Sequence, residues 1–114
     1  MWLITPLGFY NVVCKPGDME GGTLTIRARV KSDLEALGQE FLPSLGAISE
    51  DAGTDYRFRA KARRDELGKA LAKVIQKIDY ENFKDEVADK QGQYRAEVYH
   101  GVWDVLFSLQ QRNR

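Results

Sequence analysis

Residues 2–14, WLITPLGFYNVVC, decide how this chain folds, because the rest of the sheet has to be arranged around them. The run is apolar and rich in β-branched and aromatic residues, which favours a strand. Phe9, Tyr10, Val12 and Val13 put apolar side chains on both faces, so the strand expects cover on both sides. It is followed by KPGDMEGG (15–22), whose Pro16-Gly17-Asp18 and Gly21-Gly22 supply strong reversal chemistry. The next stretch, Thr23 to Lys31, alternates: Leu24, Ile26, Ala28 and Val30 on one side, Thr25, Arg27, Arg29 and Lys31 on the other. A hairpin of the two strands follows from that short connection.

Ser32-Asp33-Leu34-Glu35 has the form of a capping box. The helix it opens offers Leu34, Leu37, Phe41 and Leu42 for burial, and Pro43 ends it. Residues 44–54, SLGAISEDAGT, read as a loop and as the mobile part of the chain. A third strand, Asp55 to Ala62, points Tyr56, Phe58, Ala60 and Ala62 inward and Arg57, Arg59, Lys61 and Arg63 outward. A second helix begins near Asp65, with Leu67, Leu71, Val74, Ile75 and Ile78 on one stripe. From Tyr80 onward Phe83, Val87, Tyr94, Val98, Val102, Leu106 and Leu109 recur at helical spacing, and Gly92 leaves two readings open, one helix or a helix broken there. Tyr99, Trp103 and Phe107 widen the apolar arc after Val98, so this end expects burial on more than one side.

The order is β-β-α-β-α-α in a single α+β domain, residues 1–114. Two strands joined by a helix are expected to run parallel with a right-handed crossover. The strand apolar on both faces then belongs between them, giving sheet order 2-1-3. This is a three-stranded, ferredoxin-like split β-α-β arrangement, with helices on one face and a long C-terminal helix.

Composition narrows function less than fold. A chain of 114 residues suits one compact domain. Its 17 basic residues are balanced by 17 acidic ones, which excludes bulk attraction to nucleic acid or to an anionic membrane. The single cysteine, Cys14, excludes an intrachain disulfide and suits a reducing cytoplasm. No apolar run approaches the roughly 20 residues that span a bilayer. The start lacks a basic n-region, so it reads as a strand and not an export signal.

Charge is nevertheless segregated. Arg27, Arg29, Lys31, Arg57, Arg59, Lys61, Arg63 and Arg64 hold 8 of the 17 basic residues, while Asp79, Glu81, Asp85, Glu86 and Asp89 gather acidity at the start of the last helical region. Three readings of the basic rows stand side by side. They protect strand edges, they rim a protein interface, or they line a single-stranded nucleic-acid surface with Tyr10 as stacking platform. The glycine-aromatic signature of an RNA recognition motif is absent. The candidate binding face is therefore Tyr10, Arg27, Arg29, Arg57, Arg59 and Lys61, and Tyr99, Trp103 and Phe107 are the candidates for self-association as a dimer.

No catalytic or metal-ligating set emerges, and no cofactor is implied. His100 is the one histidine; Glu97 and Asp104 sit at helical spacing from it, which reads as a surface ion partnership. A small-molecule or enzymatic site near His100 is the competing reading. Cys14 beside Lys15 reads as a packing residue. The function that follows is a non-enzymatic protein-interaction or regulatory module that self-associates. Single-stranded nucleic-acid binding is its alternative.

MWLITPLGFYNVV, LTIRARVKSDLEAL, TDYRFRA and IDYENFKDEVADKQGQYRAEVYHGVW together resemble an uncharacterised family of short, stand-alone bacterial proteins. The resemblance implies a bacterial cytoplasmic protein forming a complete domain. It carries no activity or binding residues to transfer.

Overall fold

In the structure, a computed structural model describing residues 1–112, residues 2–14 are two strands and not one. β1 (Trp2–Ile4) and β2 (Phe9–Val13) form an antiparallel hairpin with Leu3 opposite Tyr10. Thr5 closes the turn between them. Its N–H donates to Gly8 O at 3.0 Å, its carbonyl accepts from Gly8 N, and its hydroxyl accepts from Leu7 N at 3.1 Å. Pro6 follows Thr5 where its fixed φ suits a turn. Gly8 is required for a different reason: a Cβ there would lie 2.5 Å from Asp33 Cγ.

A one-turn helix α1 (Asp18–Gly21), ended by Gly22 at φ 67°, leads into β3 (Thr23–Ala28). Then come α2 (Lys31–Glu40), the two-residue β4 (Ser49–Glu50), β5 (Phe58–Arg63) and α3 (Arg64–Gln76). The sheet has five strands in the order β1-β2-β3-β5-β4, and every pairing is antiparallel.

This overturns the three-stranded, 2-1-3, ferredoxin-like expectation. The central strand is β3, and β3 and β5 are antiparallel partners. The parallel rule assumes that the helix delivers the chain straight to the next strand. Here residues 41–57 make one more traverse after α2. Gly46 N donates to Lys61 O at 2.9 Å, Ser49 and Glu50 pair with Arg59 and Phe58, and Asp51 N donates to Arg57 O. The stretch expected as a loop thus runs alongside β5 as the sheet edge, and β5 enters from the opposite end.

One face of the sheet carries the core. Tyr10, Val12, Ile26, Ala28 and Ala62 pack with Leu34 and Leu37 of α2 and Leu67 and Ala70 of α3. The alternation of Thr23–Ala28 and Phe58–Arg63 sets this directly, since residues opposite in antiparallel strands share a face. Small Ala60 and Ala62 on β5 leave room for the helices. The capping box does not form. Val30 occupies the N-cap position of α2 with no side-chain cap, and Asp33 is turned to the β1–β2 hairpin, where its Oδ2 accepts from Phe9 N at 3.0 Å. Val74 is half-buried at best, and Ile75 and Ile78 are exposed, so the expected α3 stripe is buried only through Leu71.

The chain divides into two compact units, Met1–Asp79 and Tyr80–Arg114. The second is a helical hairpin of α4 (Phe83–Gln91) and α5 (Gln93–Arg112). Gly92, at φ 96°, breaks the helix between them. Asn82 caps α4, its Oδ1 accepting from Asp85 N at 2.9 Å. Val87 and Ala96 are buried, and Phe83 stacks on Tyr99 at 6.0 Å between ring centroids.

Candidate binding surfaces

The sheet face turned away from α2 and α3 is built in cross-strand rows. One row runs Trp2, Asn11, Arg27, Arg59 and Ser49, each the direct partner of the next. The row beside it holds Val13, Thr25 and Lys61. Alternation delivers both, because every second residue of a strand points to the same side.

The basic residues of this face have different fates. Lys61 Nζ binds the carboxylate of Asp18 at 2.6 Å, and Arg57 pairs with Glu50 at 2.6 Å near the sheet edge. Arg63 lies between Asp65 and Glu66. Among the described residues no carboxylate pairs with Arg27, Arg29 or Arg59. Arg27 and Arg29 gather on aromatic rings instead. The guanidinium carbons of Arg27 and Arg29 each lie 4.7 Å from the centroid of Tyr56, and Arg29 also reaches Phe9. Arg59 Nη2 donates to Thr54 Oγ1 at 3.0 Å and to Tyr56 O at 3.2 Å. Phe9 in turn makes an edge contact with Trp2, centroids 5.4 Å apart at 84°.

Tyr10, the stacking platform expected from the sequence, is not on this face. It is 2% exposed within the core, and its hydroxyl donates to Asp33 O at 2.6 Å. The aromatic groups that do accompany the arginines are Phe9, Trp2 and Tyr56. A one-residue change of parity in residues 9–13 exchanges Phe9 and Tyr10, and the sequence leaves that parity open because both faces are apolar. Tyr56 lies outside β5, and the turn at residues 52–56 swings it under Arg27 and Arg29.

Asp18 closes the other end of the face. Fully buried, it accepts from the hydroxyls of Thr23 at 2.7 Å and Thr25 at 2.8 Å and from Lys15 N at 2.8 Å. The Lys61 ammonium, together with these donors, holds its carboxyl far below the ordinary carboxylate range, against the opposing effect of burial. With all its partners in place, Asp18 fastens the Lys15–Asp18 turn to the sheet.

In the helical hairpin the self-association candidates separate. Tyr99 is 8% exposed and committed to Phe83, whereas Trp103 and Phe107 are exposed and stack on each other at 5.3 Å. The expected burial of this helix end on several sides is not found within the hairpin: Val98, Trp103, Val105, Leu106, Phe107 and Leu109 are exposed. α4 begins only at Phe83 and is 9 residues long, so it has no residues to set beside the far half of the 20-residue α5. A cleft of about 350 Å³ lies between the start of α4 and α5, walled by Phe83, Tyr99 and Trp103 with Lys84 and His100 at its rim. His100 Nε2 lies 3.7 Å from Asp104 Oδ2, the helical partnership read from the sequence, and its ring stacks on Trp103. Cys14 is exposed, with Arg64 Nη2 3.5 Å from its Sγ.

Among the described residues no cluster of three or more His, Cys, Asp or Glu is placed to hold a metal ion. No helix there is long and apolar enough to cross a membrane. No family model, curated protein or solved structure matches the chain.

Proposed function

We propose that the protein is a small interaction module that pairs with a second copy of itself through the far half of α5. One observation carries this reading. Val98, Val102, Val105 and Leu109 recur at spacings of four, three and four, the seam of two packed helices, and three of the four are exposed. Trp103, Leu106 and Phe107 extend apolar surface to either side of it. A helix apolar over most of its circumference belongs in an interior. The balance of 17 basic and 17 acidic residues leaves no net repulsion between copies. The bacterial, stand-alone character implied by the resemblance belongs to the same reading.

Light scattering at roughly tens of micromolar tests it. The expected mass is twice 13.0 kDa for the native chain and 13.0 kDa for Val105→Glu/Leu109→Glu, whose altered side chains are already exposed. A native chain of 13.0 kDa, or a double variant that still doubles, overturns the proposal.

A further inference from the structure

The row Trp2–Asn11–Arg27–Arg59 is the place where the structure retains what a fold alone would discard. Arg27 and Arg59 are direct cross-strand partners, so two like charges face each other with no carboxylate pairing either among the described residues. Like charges in that relation are destabilising. The same row holds all three buried side-chain polar atoms that lack a hydrogen-bond partner among the described residues: Asn11 Oδ1, Arg27 Nε and Arg59 Nε. Asn11 is itself only 8% exposed. Unsatisfied buried polar atoms are costly and uncommon. Here they coincide with unneutralised positive charge, in a single row, next to an exposed indole.

We infer that this row is a binding site for a nucleotide unit, with the phosphate held by Arg27 and Arg59 and the base stacked on Trp2. The inference goes beyond pairing through α5 and does not depend on it. Each part of the row has a matching part in such a ligand. Two adjacent guanidiniums present forked N–H donors suited to phosphate oxygens, and an anion between them replaces repulsion with charge-assisted hydrogen bonds. Trp2 is 61% exposed and steadied by Phe9, as a stacking platform should be. Asn11 stands between the indole and the guanidiniums in the row, and its amide offers both a donor and an acceptor. Tyr56 holds Arg27 and Arg29 by ring contact, and its carbonyl accepts from Arg59, so the arginines are positioned before any ligand arrives. An acidic peptide would use the charges but would leave the exposed indole without a role.

The phosphate and base could belong to single-stranded nucleic acid or to a free mononucleotide, and titration distinguishes them. In a Trp103→Phe background, Trp2 is the one remaining tryptophan, and its fluorescence reports the row. The probes are a short oligothymidylate, an abasic strand of equal length, thymidine monophosphate and a polyglutamate peptide, all at low salt. Binding of the oligonucleotide with quenching of Trp2 is the expected result, about tenfold weaker with Arg59→Gln by the same signal and with Trp2→Ala by the fluorescence anisotropy of a dye-labelled strand. The abasic strand should bind without quenching. Equal affinity for the monophosphate would assign a free nucleotide as ligand, and much weaker binding would assign a strand. In the native chain, amide and indole NMR shifts centred on Trp2, Asn11, Arg27 and Arg59 provide a readout that does not depend on a variant folding. No binding at low salt, shifts centred elsewhere, or polyglutamate binding as well as the strand overturns the proposal.

Discussion

Arg27 and Arg59 stand directly opposite each other on β3 and β5, and neither guanidinium meets a carboxylate among the described residues. The two rows beside this pair show the usual alternative. Lys61, one row along, is answered by Asp18 at 2.6 Å, and Arg57, at the edge, by Glu50. The sheet can neutralise its basic residues, and at one row it does not.

The repulsion in that row predicts an anion-specific stabilisation. Phosphate should raise the melting temperature more than chloride at equal ionic strength, since it bridges the pair as well as screening it. Arg59→Gln should remove the difference while changing stability in chloride by under about 1 kcal/mol. Thermal melts in matched salts check this; equal responses to the two anions would contradict it.

Asp18 sets the acid limit of the sheet unit. Its carboxyl is held below its ordinary range, so the associated stability is complete above about pH 4. It is lost as pH falls from there toward the depressed folded value. Urea midpoints from roughly pH 5 to pH 2 should therefore fall more steeply for the native chain than for Asp18→Asn. At neutral pH Asp18→Ala should cost about 2 kcal/mol, because Thr23, Thr25 and Lys15 N–H all lose an acceptor.

Gly8 and Asp33 should be coupled. Gly8→Ala places a methyl 2.5 Å from Asp33 Cγ and is expected to cost about 2–3 kcal/mol. Asp33→Ala removes the carboxylate that Phe9 N uses, yet it also clears the space. The double variant should be more stable than the sum of the two losses by on the order of 1 kcal/mol. Additive denaturation free energies would show that the close approach is not what demands glycine.

Gly92 should resist replacement although nothing crowds it. No atom lies within 4 Å of a Cβ built there, but φ 96° with ψ 163° is backbone territory that belongs to glycine. Gly92→Ala is expected to destabilise the helical hairpin by about 1–3 kcal/mol or to straighten the break. Helix content by circular dichroism separates the two, and an unchanged spectrum with unchanged stability would contradict both.

Local periodicity was the legible part of this fold. Thr23–Ala28 and Phe58–Arg63 alternate and are strands, and Arg64–Gln76 follows its apolar spacing, whereas the choice between one helix and a break at Gly92 was settled only by the fold. What the periodicity hid was set by contacts distant in sequence. Ser32 and Glu35 have the spacing of a capping box, but α2 already begins at Lys31 and the Asp33 between them serves the β1–β2 hairpin, so the capping pattern misleads. Nothing local marks residues 46–51 as a partner of β5, since Gly46, Ser49 and Glu50 contribute mainly backbone to that pairing. The arginines of the candidate site were visible by alternation. Their aromatic company was not, because Trp2 and Phe9 reach it through a turn inside an apolar run and Tyr56 through a bend just ahead of a strand.

The sheet ends in very short strands on both sides, three residues at β1 and two at β4. A five-stranded antiparallel sheet with long free margins would be a template for strand addition, and thus for cross-β growth. These margins give an incoming chain too few free backbone groups to hold a register. Crowding or partial heating should therefore leave the sheet unit resistant to fibre formation.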